Sequence, residues 1–222
     1  NAAAAAGVTL MEAMWTRFLP HIDVLRQLLA DGALGDIETV SADHGQWFAP
    51  DPTHRLYDPH AAGGALLDLG IYPVSLASMV LGTPGRITAR GTLTDTGVDR
   101  QASAIFDEFP GSRAHAVVTT TLAARTPTRA QISGSEALVV LPSGFYTPVS
   151  LTFAPREGAI CTSPEPVITG LGGLAFEAAH FARLVAEGRP ESPLLPWAET
   201  LAIMGTLDEI RAQVGVRFPG EA

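Results

Sequence analysis

The sequence predicts an α+β domain: an open antiparallel β-sheet with helices packed on one face. Three observations predict it. Apart from one run at residues 37–44, period-two alternation is gathered in the middle of the chain, between residues 86 and 153, where Asp, Gly and Pro separate the runs. Helical spacing is confined to the flanks, before residue 82 and after residue 174. Strands and helices that are segregated in this way favour a sheet covered by helices over a doubly wound fold. With 222 residues, 46% of them hydrophobic, the chain can bury a sizeable core.

The elements follow in order. Residues 20–31 read as a helix, with Pro20 at its start, Gly32 as its stop, and an apolar stripe of Ile22, Leu25, Leu28 and Leu29. Residues 37–44 alternate as a strand. Residues 47–62 are rich in proline, aspartate and histidine and read as an irregular loop, a place that often carries specificity. The apolar helix of residues 63–82 follows. Strands are expected at 86–94, 101–106, 113–121, 128–133, 137–141 and 149–153, and helices at 174–187 and 197–214. Ile87, Ala89, Leu93, Ala102, Ala104 and Phe106 form the sheet face that belongs against the helices. The opposite set, including Thr88, Arg90, Thr92, Gln101, Ser103, Ile105, Gln131 and Ser133, is polar but sparsely charged, so it suits either water or a second copy.

The segment GGALLDLGIYPVSLASMVLG sets a carboxylate, Asp68, and a phenol, Tyr72, one helical turn apart in apolar surroundings. They are either a buried hydrogen-bonded pair or part of a site. A phenol can donate a proton to a developing alkoxide, which suits chemistry at an alcohol or carbonyl. Asp68 either orients Tyr72 or bonds backbone donors. Pro73 cannot donate to the Leu69 carbonyl, so a break in the helix is expected beside Tyr72. Gly63 and Gly64 permit close approach of another backbone or a flat ring, which makes them candidate cofactor contacts.

Composition narrows the function classes. A net charge of −9 argues against a nucleic-acid partner. No run reaches the ~18 uninterrupted apolar residues of a membrane span, so no membrane partner is expected. The single cysteine, Cys161, allows no internal disulfide and fits a cytoplasmic location. His44, His54 and His60, with Asp51 and Asp58 between them, match no metal-site spacing, so no metal is assigned; a metal-dependent hydrolase is the weakest alternative.

GGALLDLGIYPV resembles the signature helix of the Gfo/Idh/MocA family of NAD(P)-dependent oxidoreductases, in the branch of dimeric dihydrodiol dehydrogenase and glucose-fructose oxidoreductase. Three further segments fit in order: LMEAMWTRFLP, LADGALGDIETVSADHG and ESPLLPWAETLAIMGTLDEIRAQVGVRFP. The resemblance spans nearly the whole chain. It implies the family's C-terminal domain fold, with residues 1–19 a remnant of the last helix end and strand of a nucleotide-binding domain, and residues 20–222 the substrate-binding and dimerisation domain. It further implies that Tyr72 is the proton donor, with Asp68 one turn earlier, and that a homodimer forms through the open sheet face.

The family's catalytic lysine has no counterpart, because all 14 Lys+Arg residues are arginine. A Rossmann GxGxxG turn after a strand is also missing. The expectation is therefore a truncated chain, inactive by itself, whose full-length enzyme uses NAD or NADP on a secondary alcohol or carbonyl of a sugar or cyclic diol, while this part binds none. Trp15, Arg17 and Phe18 are candidate substrate contacts: WTRF resembles the family's pocket edge, flat aromatics pack on ring carbons, and Arg17 offers a donor to hydroxyls. Trp47 and Phe48 are weaker candidates of the same kind, and Trp197 serves to anchor the last helix. The alternative from a different class is a non-catalytic ligand-binding or assembly module.

Overall fold

A computed structural model describes residues 1–221. Helix α1 (Ala2–Ala6) leads through an extended stretch and a 3-10 turn, Trp15–Phe18, to α2 (Pro20–Ala30). Strand β1 (Ile37–Gly45) follows, then two short 3-10 turns, a π-turn at Leu66–Gly70, and α3 (Ile71–Leu81). Strands β2 (Arg86–Leu93), β3 (Asp99–Asp107), β4 (His115–Thr121), β5 (Ala130–Gly134), β6 (Ala137–Leu141), β7 (Thr152–Pro155) and β8 (Cys161–Thr162) come next. Helices α4 (Leu174–Ala186) and α5 (Trp197–Val214) close the chain.

The strands form one eight-stranded open sheet in the order β2-β3-β4-β1-β5-β6-β7-β8. The expected all-antiparallel sheet needs one correction. β1 runs parallel to β4, with Thr39 opposite His115 and Gly45 opposite Thr121, so the sheet is mixed. The cause is topological: the chain leaves β1, crosses the sheet through α3, and returns beside β1 only after the β2–β3 hairpin. β1 therefore lies at the centre, where Val40, Ala42 and His44 are buried toward the helices.

The helix-facing side of the sheet is lined with small residues. Ala42, Ala89, Ala102, Ala104 and Ala116 are buried, which lets α3 and α5 approach closely, with Ile203, Leu207 and Ile210 of α5 closing the core. Gly70 brings the π-turn onto β4: a Cβ there would sit 3.0 Å from Thr120 Cγ2. The other face is open, with Thr88, Arg90, Thr92, Gln101, Ser103, Ile105 and Gln131 all exposed.

One further expectation is revised. Residues 8–11 form no strand; they run as extended chain tied down where Thr9 Oγ1 donates to the Arg189 carbonyl and Leu10 N–H to that of Pro190. The stretch Pro59–Leu81 is long and apolar enough to cross a membrane by length and composition alone. Here it is broken by the π-turn and Asp68, and it packs on the sheet as a core element.

Candidate active site

Four rings from four segments meet at the C-terminal end of β1. Tyr72 stands in the first turn of α3, immediately after the π-turn that precedes Pro73. A π-turn at this point has a local cause: Pro73 lacks the N–H that would close the regular bond to the Leu69 carbonyl. His44 meets Tyr72 edge to face and stacks on Tyr146 at a centroid distance of 4.3 Å. Tyr146, from the loop after β6, lies 5.0 Å from the Tyr72 ring, and Trp15 meets Tyr146 edge-on at 6.1 Å.

The polar ends of these rings are ordered. Trp15 Nε1–H donates to the Tyr72 hydroxyl oxygen at 3.2 Å. An indole can only donate, so the phenol oxygen accepts, and the phenol's own hydrogen is left to point elsewhere. Burial pushes the Tyr72 phenol above its ordinary value; Asp68, Tyr146 and Glu177 push the same way, while the bond from Trp15 opposes them. The group is therefore a protonated phenol at neutral pH. His44 is 1% exposed, and burial holds its imidazole down at about 4, against the opposing pull of the Leu69 carbonyl and of Asp68. It is a neutral ring, with the Gln46 amide 3.0 Å from its Nε2.

The other sequence-predicted residues separate. Asp68 makes no hydrogen bond to Tyr72; its Oδ1 accepts from Arg55 Nη2 at 2.7 Å, joining the π-turn to the loop before it. Its charge still acts on Tyr72 and His44. Arg17 is not placed to meet a ligand. It is 2% exposed, and its guanidinium donates to Ser75 Oγ, the Ser75 and Leu194 carbonyls, and Glu199, so its donors are consumed in bracing α3 against α5. Phe18 is buried against the His180 ring at 4.9 Å.

Gly63 and Gly64 hold the chain's own atoms in place of a cofactor. A Cβ on Gly63 would lie 2.7 Å from the carbonyls of Arg55 and Leu56, and one on Gly64 (φ 121°) would strike Asp99 Oδ1. That space is filled by backbone and by a buried carboxylate. The close approach that Gly63 and Gly64 permit is therefore made by the chain itself. The Gly170–Gly173 turn precedes α4 and is separated from the two-residue β8 by residues 163–169.

Three of the loop side chains, His54, Asp51 and Asp58, are engaged locally. His54 Nδ1 accepts the Leu56 N–H, Asp58 that of His60, and Asp51 that of Thr53. No group of three metal-ligating side chains occurs among the described residues. Trp197 does anchor the last helix, its indole donating to the Leu10 carbonyl at 2.8 Å.

Sequence reasoning missed Tyr146 and Gln46, and it considered His44 only as a metal ligand. The available signal was local: Gly144 and Pro148 bracket Phe145-Tyr146, and one of those two aromatics is fully buried while the other is not. Glu177, in the first turn of α4, is a further missed neighbour; burial raises its carboxyl, and its Oε2 has no partner.

An open mixed sheet backed by helices, with a phenol-bearing helix laid across its central strands, defines the class as an α+β domain. The chain belongs to the GFO/IDH/MocA C-terminal domain family, whose model matches residues 22–140, more than half of its length. It is 34% identical over 219 residues to trans-1,2-dihydrobenzene-1,2-diol dehydrogenase of Bos taurus, and 35% identical over 218 residues to that of Macaca fascicularis. Each alignment covers 96% of this chain but only 64% of the relative. Among solved structures, aldose-aldose oxidoreductase from Caulobacter crescentus superposes with a TM-score of 0.78 at 23% identity, covering 96% of this chain and 63% of that one. A levoglucosan dehydrogenase complex with NADH and levoglucosan gives 0.80 at 19% identity, covering 94% and 65%. The relatives are oxidoreductases of the dihydrodiol dehydrogenase and sugar oxidoreductase type.

Proposed function

We propose that this chain is the substrate-binding and proton-handling part of an NAD(P)-dependent oxidoreductase acting on a secondary alcohol or carbonyl of a sugar or cyclic diol. Residues 20–222 form that part, and residues 1–19 are the remnant of a nucleotide-binding domain. The relatives' names support the reaction class, and the neighbour that carries NADH supports the cofactor class. The sequence supplies no lysine, and the reading takes the chain by itself as inactive. The pyridine nucleotide and the amine belong to the remainder of the enzyme.

A single observation carries the reading: Trp15 donates to the oxygen of Tyr72. In the reducing direction Tyr72 gives its hydrogen to the substrate oxygen, and the phenolate that results keeps the Trp15 bond, which becomes charge-assisted and stronger. In the oxidising direction the same oxygen takes the proton back. Tyr146 and His44 hold the phenol ring from two sides, and Asp68 fixes the preceding turn through Arg55.

The test is Tyr72→Phe in the full-length enzyme. Loss of a general acid lowers turnover by roughly 10²–10⁴-fold, with nicotinamide affinity unchanged. Turnover within a factor of two of the parent removes Tyr72 from the chemistry.

The open sheet face supports a homodimer, because its exposed residues are polar with little charge and carry Ile105 at 46% exposure.

A further inference from the structure

Beside the ring cluster lies a polar cleft of about 440 Å³, bounded by the end of β1, the loop before β5 and the loop after β6. The three segments are joined by their backbones. Thr126 N–H donates to the Gly45 carbonyl at 3.1 Å, and Gly144 N–H to that of Thr128 at 2.8 Å. Gly45 is required for this closeness, since a Cβ there would lie 2.5 Å from Thr126 Cγ2.

Thr128 sits in the left-handed region with φ 52°, an outlier for a β-branched residue. Backbone of this kind persists only where its surroundings over-determine it, and such sites cluster at ligand clamps. Here the Asp43 carboxylate does so, accepting the N–H groups of Thr128 at 2.7 Å and Arg129 at 3.2 Å.

The lining has a definite chemistry. Trp47 presents its indole at 62% exposure, and Thr126, Thr128, Ser143 and Gln46 supply hydroxyls and an amide. Arg125 is the one charged residue on the wall, and it forms no ion pair among the described residues. In a chain with a net charge of −9, a pocket with one cation and no carboxylate is selective for an anion. A flat exposed aromatic face beside several hydroxyl groups suits a sugar ring. Tyr146 forms part of the wall and also packs on Tyr72, so the cleft opens alongside the phenol.

We propose that this cleft holds the non-reacting end of an acidic sugar, with the pyranose face on Trp47 and its carboxylate or phosphate on Arg125. This rests on the oxidoreductase reading for what happens at Tyr72 and names the substrate class of that site.

The experiment follows the Trp47 indole N–H resonance of the chain, assigned with Trp47→Phe, during titration at constant ionic strength. The probes are glucose, glucuronate, glucose 6-phosphate and inorganic phosphate. One or both acidic sugars should saturate at least ten-fold below glucose, and Arg125→Gln should abolish that advantage while leaving glucose unchanged. Arg90→Gln, on the open sheet face, should change nothing. Preference for glucuronate or for glucose 6-phosphate identifies the anion.

Equal response to glucose and the acidic sugars overturns the proposal, as does an Arg125→Gln chain that retains the preference. Inorganic phosphate binding as well as glucose 6-phosphate overturns the sugar assignment. No response to any probe overturns the whole. None of these outcomes touches the role of Tyr72, which the turnover of Tyr72→Phe decides separately.

Discussion

His44 meets the ring of Tyr72 edge to face, with centroids 5.2 Å apart and planes inclined at 61°. The imidazole is neutral, so it adds no charge beside the phenol and leaves Asp68 and Trp15 as opposing influences on it. Asp68 raises the phenol, and the Trp15 bond lowers it. Trp15→Phe should therefore move the Tyr72 titration up, and Asp68→Asn should move it down. Ultraviolet tyrosinate absorbance, taken as the difference from Tyr72→Phe, reads both shifts. Shifts of the same sign in the two variants would exclude this electrostatic arrangement.

The buried titratable groups make stability depend on pH with a sign that can be worked out. Burial lowers His21 and His44 from 6.5 to about 4, so between those values the unfolded chain binds more protons, and stability rises with pH. Asp99 runs the other way. It accepts the Leu66 N–H at 2.6 Å beneath the turn that leads to Tyr72, and burial raises it from 3.8 to about 6, so its contribution is full below 3.8 and is lost as pH rises through 6. Near pH 5 two histidines outweigh one aspartate by about one proton, or ~1.4 kcal/mol per pH unit. Asp99→Asn keeps an acceptor for Leu66 and removes the opposing group. Its urea-unfolding free energy should climb about twice as steeply between pH 4 and 6 as the parent's. An unchanged slope would show that Asp99 titrates normally.

Arg17 bridges Ser75 of α3 and Glu199 of α5 from a buried position. Removing Arg17 leaves Glu199 with the Ser78 hydroxyl and partial access to water, so the cost falls below that of a fully buried pair, at roughly 2–3 kcal/mol. Arg17→Met should lower stability by about that amount in denaturant unfolding, while ligand binding at the Trp47 cleft stays as in the parent. Lost binding with unchanged stability would restore Arg17 as a ligand contact.

What could be read from the sequence followed from how local each cause is. The bounds of β6 and α5 coincide with expectation because Ala137–Leu141 and Trp197–Val214 each carry their period and their punctuation within the segment. The break before Pro73 was legible for the same reason, since a missing N–H is a property of one residue. The parallel pairing of β1 with β4 was not, because it depends on where the chain returns after α3 and a hairpin. Two-residue β8 is too short to show a period. In the site, Tyr72 was visible as a polar residue in apolar surroundings. The fate of Arg17 was hidden, because its carboxylate partner lies 182 positions away and only the packing of α5 brings it near.

The open sheet face gives the last prediction. Ile105 of β3 stands on that face between Thr88 of β2 and Val117 of β4, with exposed Ser103 beside it on its own strand. A two-fold contact places the same patch on both copies, so a substitution there is felt twice. A dimer of ordinary strength covers about 800 Å² per partner, and one buried charge repeated across the axis would be left without a counter-ion. Ile105→Arg should therefore convert a dimer into a monomer at micromolar concentration without lowering the monomer's own stability, because the side chain is solvent-facing in the isolated chain. Light scattering measures the mass of both forms. A parent chain that is already monomeric would overturn the dimer, and a variant that stays dimeric would place the contact on some other surface.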